Sequence, residues 1–244
     1  MKLRYDYLNH EMEISKDEPT LLVIENSSLI DKYICDLNGA IEKVSSSFHL
    51  LMDEKEIDIS KRATIIASPL DLVFSKRSFQ KALYKGIIDT MKILGLDYES
   101  GEIISRYVNL LESLCVSYEY DLNYEPDISI TDLLGLFKVH LDDPKGSFAE
   151  KYVDYAKTTK GLISKDIFIL FNCLVYMGKE ELQYVVDEAI HEQIYVLLVE
   201  ANDTEMLRDK AHKYIIDMDV CEINNMENHL ELQCDKGIYS EITI

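Results

Sequence analysis

Apolar and polar positions alternate over residues 2–7 and 11–14, with Asn9-His10 between them, which is the pattern of a β-hairpin. Residues 20–25 (TLLVIE) instead form a continuous apolar run, the mark of a strand buried on both faces. Asn26-Ser27-Ser28 offers a helix cap, and Leu29, Ile30, Tyr33, Ile34, Leu37 and Ile41 then recur at helical spacing. Residues 48–52 and 63–67 (ATIIA) predict two further strands. Ser75 can cap a helix over about 76–94, residues 95–98 read as a break, and a second helix is predicted over about 100–118. That second helix carries Ile104, Tyr107, Val108, Leu111, Leu114, Cys115 and Tyr118 at near-heptad spacing. Two helices joined so closely form an antiparallel hairpin. Helices are also expected over 130–137 and 148–159. A strand (166–177), a helix (179–192), a strand (195–200), a helix (206–214) and a short strand (214–220) close the pattern.

Buried strands alternating with helices mean an α/β fold with a mostly parallel sheet. The helical block 69–162 then interrupts a head formed by 1–68 and 163–221, and 222–244 is a polar tail of unassigned role.

Charge changes the picture. The 244 residues carry 25 Lys+Arg and 45 Asp+Glu, a formal net charge of −20. Such a surface repels a phosphate backbone unless its positive charge is gathered in one place, and it favours divalent cations. The five cysteines (Cys35, Cys115, Cys173, Cys221, Cys234) are widely spaced without a CxxC pair. That argues against a disulfide framework or zinc site and fits a reducing cytoplasm. The polar N-terminus does not read as a signal peptide, and no apolar run approaches the ~20 residues of a membrane span.

The loop after TLLVIE lacks the glycines and lysine of a phosphate loop. The strand IFILFN ends in Asn172 where a magnesium-binding Asp is wanted, so nucleotide hydrolysis is not expected. Between Tyr107 and Phe137 there is no Lys or Arg, while Glu112, Glu119, Asp121, Glu125, Asp127 and Asp132 fall there. This is no EF-hand: Pro126 stands at the glycine turn and Asp132 at the bidentate Glu position. The helix before it is the counterpart. Lys76, Arg77, Lys81, Lys85 and Lys92 against Asp89 make 76–92 net +4, leaving −24 for the rest. Arg77, Lys81, Lys85 and Lys92 fall within an ~80° sector at ~100° per residue, with Phe79, Leu83 and Ile87 opposite. Such a line of cations can follow a phosphate backbone or can be a solvated face. The next densest basic group is Lys145, Lys151, Lys157 and Lys160. The six histidines sit in no HExxH or HxH, and no GxSxG occurs, so no catalytic constellation stands out.

In their order along the chain, TLLVIENSSLIDKYICDL, ATIIASPLDLVF, YEYDLNYEPDISITDLLGLFKVHL, FAEKYVDYAKTTKGLISKDIFILFN and GKEELQYVV with YVLLVE resemble the CRISPR-associated adaptation proteins of type II-A systems, the Csn-two family. The likeness spans about residues 1–221. It implies a degenerate nucleoside-triphosphatase-like head with an inserted α-helical leg. It further implies a non-enzymatic homotetrameric ring that binds Ca²⁺ and double-stranded DNA ends in spacer acquisition. Expected partners are the integrase complex and the RNA-guided nuclease of the locus, and no membrane. The family's Ca²⁺ ligands, carried over, fall on Asp121, Glu125 and Glu119; Asn123 stands where relatives can carry an acid. Lys76, Arg77, Lys81, Lys85 and Lys92 are the expected DNA contacts, from the stripe and not from the resemblance. Two other readings stay open: a metal-dependent nuclease using the 119–132 acids, and a protein–protein adaptor without DNA binding.

Overall fold

The computed structural model describes residues 1–45, 47–207 and 210–224. Among them the strands are β1 (Lys2–Tyr5), β2 (Met12–Glu13), β3 (Thr20–Ile24), β4 (Phe48–Met52), β5 (Lys55–Ile57), β6 (Ala63–Ile66), β7 (Ile167–Phe171), β8 (Tyr195–Glu200), β9 (His212–Ile216) and β10 (Glu222–Asn224). The helices are α1 (Ser27–Ile41), α2 (Arg77–Ile93), α3 (Asp97–Ser117), α4 (Ile130–Leu136), α5 (Phe148–Ile163) and α6 (Lys179–His191). The chain divides into two compact units. One is built from Met1–Val73 and the chain from Pro144 onward, the other from Phe74–Asp143.

The first unit is α/β. Its larger sheet has the order β10-β9-β3-β8-β7-β6, parallel throughout except for β10, which runs antiparallel to β9. Every residue of β3 and β7 is buried, as their unbroken apolar runs require of strands covered on both faces. A smaller antiparallel sheet, β2-β1-β4-β5, joins it. The Asn26 carboxamide caps α1 by accepting from the Ser28 and Leu29 amides at 3.1 and 3.0 Å. Tyr33 of α1 packs edge-on against Tyr5 and Phe48, whose rings stack at 4.3 Å. The Tyr5 hydroxyl donates to Asp36 at 2.7 Å. Such ring pairs add about 0.5–1.5 kcal/mol each beyond the area they bury, and here they fasten the small sheet to α1.

The second unit contains α2, α3 and α4. Gly95 sits between α2 and α3 at φ +69°, a left-handed conformation that a glycine adopts without steric cost. Ile104, Val108, Leu111 and Cys115 of α3 are half-buried, and none of its residues is fully buried.

Five expectations change. The compact helical unit is Phe74–Asp143, narrower than 69–162. The reason is α5: its Phe148, Tyr152, Tyr155 and Ala156 are buried, and Tyr152 packs edge-on against Phe168 of β7, so this helix belongs to the sheet unit. The helix expected over 206–214 gives way to a short 3₁₀ turn at Glu205–Leu207 and the strand β9. Pairing of His212–Ile216 with β3 outweighs helical propensity there and buries Tyr214 and Ile216. The strand expected over 166–177 stops at Phe171, because Asn172 takes a left-handed conformation at φ 48° and leads into a 3₁₀ turn. The sheet runs on past residue 221 into β10, while the remainder of the expected tail lies outside the described residues. Cys35, Cys115 and Cys173 are free thiols, whereas Cys221 is disulfide-bonded, a departure from the all-thiol expectation. No helix among the described residues is long and apolar enough to cross a membrane.

Candidate nucleic-acid interface

Helix α2 begins at Arg77, with Lys76 rather than Ser75 at the cap position and no side-chain cap bond. Its apolar side buries Phe79 and Tyr84. Lys76, Arg77, Lys81, Lys85 and Lys92 are all exposed. Arg77, Lys81, Lys85 and Lys92 have no ion-pair partner among the described residues. Steps of four residues rise about 6 Å, and the stripe from Arg77 to Lys92 is about 22 Å long. Asp89 stands exposed on the same face between Lys85 and Lys92.

Many cations of the first unit are, by contrast, already engaged. Lys43 pairs with Asp58 at 2.7 Å and Lys157 with Glu188 at 2.7 Å. Lys160 donates to the Glu192 carbonyl, Lys165 to the Ala63 carbonyl at 2.8 Å, and Lys213 pairs with Asp203. Arg62 donates to Asp166 at the start of β7. Two of the four lysines in the second basic group, Lys157 and Lys160, are therefore committed to α6 and the turn after it.

The acidic stretch is not gathered. Glu119, Asp121 and Glu125 are exposed on irregular backbone between α3 and α4. Glu112 accepts from the Tyr124 hydroxyl at 3.1 Å. Asp132 closes the capping box of α4, where the Ser129 hydroxyl and amide hold its carboxyl below the usual range. Among the described residues, no group of three or more His, Cys, Asp or Glu is arranged to hold a metal ion. The donors suit Ca²⁺ in kind, being hard oxygens.

At the C-terminal ends of the parallel strands, polar groups are used to fix loops. The Asn172 carboxamide accepts from the Ala201 amide at 3.1 Å. Glu200, which ends β8 and is only 5% exposed, accepts from the Leu174 amide at 3.1 Å. Burial pushes its carboxyl up to about 7, against the opposing pull of the Leu174 and Cys173 amides. Burial likewise pushes the Cys173 thiol up to about 12. An acid closing the run YVLLVE was the one available sign of this carboxylate.

These features can be set beside known proteins. The family model "CRISPR-associated protein (Cas_Csn2)" matches residues 42–220. A crystal structure of Stu0660 of Streptococcus thermophilus is similar in fold at 15% identity, with a TM-score of 0.58, covering 89% of this chain and 75% of that one. A nucleotide-free ATP-binding cassette of an ABC transporter aligns at 12% identity and a TM-score of 0.44, over 92% of each chain. With the family model spanning β4 to β9, the basic helix and the acidic stretch alike, the chain belongs to the Cas_Csn2 family of CRISPR-associated proteins.

Proposed function

We propose that this chain, from a family involved in CRISPR adaptation, binds the ends of double-stranded DNA without reading sequence. In this reading it acts as a homotetrameric ring, without catalysing a reaction, beside the integrase complex and the RNA-guided nuclease of its locus. One observation carries the reading: in a chain of net charge −20, Arg77, Lys81, Lys85 and Lys92 form an exposed line without ion-pair partners, while many head lysines are taken up internally. About 22 Å of stripe matches the axial length of about six base pairs, so several phosphates of one strand fall within its reach. Each ammonium or guanidinium that neutralises a phosphate releases a counterion, which drives binding by entropy and gives no base preference. Ring assembly would bring several such stripes to one duplex and turn the negative remainder of each chain outward.

Support for assembly comes from α3. Ile103, Tyr107, Leu110 and Leu114 form a second heptad-spaced line beside the half-buried one, and they are 64, 57, 53 and 52% exposed. A closed symmetric oligomer is the usual way to cover such a line. Calcium rests on donor chemistry alone: Glu119, Asp121 and Glu125 supply hard oxygens on a segment without regular structure, and Ca²⁺ accepts six to eight in loose geometry.

The test is a gel-shift titration of a linear duplex at several salt concentrations with the wild type and the double variant Lys81→Glu, Lys85→Glu. Affinity should fall by orders of magnitude at ~0.15 M salt, and the salt slope should shrink by about 2. Linear DNA should be retained over covalently closed circles of the same sequence. Unchanged affinity in a folded double variant refutes the α2 interface, and cleavage in Mg²⁺ would favour the nuclease reading.

A further inference from the structure

The helical unit holds a cavity of about 500 Å³, within the range of ligand pockets. Part of its wall is apolar: Phe79 and Leu83 from α2, Val139 and Leu141 from the segment after α4. Gln80, Lys138 and His140 place polar groups around them. Lys138 is exposed, at φ 52°, and has no ion-pair partner among the described residues. The His140 Nδ1 lies 2.7 Å from the Lys138 carbonyl, which fixes how the ring stands at the rim. Asp142 and Asp143 also line the cavity, and Asp143 accepts from the Phe74 amide at 2.7 Å.

We propose that this cavity receives an unpaired nucleobase at a DNA end, a reading that rests on the α2 interface above. Three features converge on that ligand. An apolar wall beside hydrogen-bonding groups suits a flat, neutral ring with polar edges. Two carboxylates, Asp142 and Asp143, stand against the single ammonium of Lys138, so the cavity offers no surplus of positive charge for a phosphate, whereas α2 does. Gln80 lies about 60° around the helix from Arg77, so the cavity opens beside the start of the basic stripe. A nucleotide whose phosphate rests near Arg77 has its base within reach of the cavity. A paired, stacked base must be extracted at a cost, and that cost is least for a base already single-stranded. The site therefore favours overhanging or frayed ends over blunt ones.

Gly135 of α4 lines the cavity, and a Cβ built there meets nothing within 4 Å. Gly135→Phe thus adds bulk at the cavity wall without a backbone clash and leaves Arg77, Lys81, Lys85 and Lys92 untouched. The experiment measures affinity for a blunt duplex, the same duplex with a three-nucleotide overhang, and one whose overhang is abasic. Wild type should bind the overhang about tenfold more tightly than the blunt end, and the abasic overhang like the blunt end. Gly135→Phe should bind all three like the wild-type blunt duplex. Circular dichroism checks its fold, and Gly135→Leu replaces it if the larger ring lowers the melting temperature. Equal wild-type affinities, or a preference that survives in the abasic overhang or in the filled variant, overturn the proposal while leaving the α2 interface standing. Failure to bind the blunt duplex as well removes both.

Discussion

Replacing Glu200 by Gln should change how the stability of this protein depends on pH. The Glu200 carboxylate is buried at the end of β8 and accepts amide bonds from the turn after β7. Its folded-state pKa of about 7 lies above the ordinary 4.5 of a glutamate, so the folded chain holds this proton more tightly than the unfolded one. The contribution is fully present below pH ~4.5 and is lost as pH rises through ~7. At about 1.36 kcal/mol per pH unit the full span is bounded by about 3 kcal/mol, of which about 2 falls between pH 5.5 and 8. Water screening at a loop end reduces this, so about 1–2 kcal/mol is the expected change over that interval. The Gln variant keeps an acceptor for Leu174 but turns a donor toward the Cys173 amide, which adds a cost independent of pH. The slope, and not the level, is therefore diagnostic. Urea unfolding of both proteins at several pH values from 5.5 to 8 measures it, and all other titrating groups cancel in the difference. Wild type should lose 1–2 kcal/mol relative to the variant as pH rises. Parallel stability curves would show that burial does not govern this carboxyl and would refute the reasoning.

Two further outcomes concern assembly and the ion. Leu110→Asp with Leu114→Asp should lower the mass measured by light scattering while leaving helicity intact, since the half-buried line of α3 is untouched; an unchanged mass would place the subunit contact elsewhere. Millimolar Ca²⁺ should raise the melting temperature of wild type and not of Asp121→Ala with Glu125→Ala, because a ligand that binds only the folded state stabilises it by mass action. A wild-type melting temperature indifferent to Ca²⁺ would reduce the acidic stretch to a solvated segment.

What the sequence determined was set by local pattern. The continuous runs of β3 and β8, the Asn26 cap and the basic face of α2 were legible because burial on both faces, capping and helical periodicity each leave a direct mark on residue order. The tertiary structure decided what depends on distant partners. Residues 212–213, expected as the end of a helix, joined the strand expected from 214 because β3 offered an open edge. Helix α5 joined the sheet unit because Tyr152 finds Phe168, a contact invisible in composition. Lys157 and Lys160 looked as available as Lys81 and Lys85 until α6 placed Glu188 and the Glu192 carbonyl against them. The acids of 119–132 were legible as a group in sequence, yet folding scattered them, spending Asp132 on a helix cap and leaving Glu119, Asp121 and Glu125 exposed. Charge density is a property of composition, whereas which charged groups are paired, spent on caps or left exposed is a property of the fold.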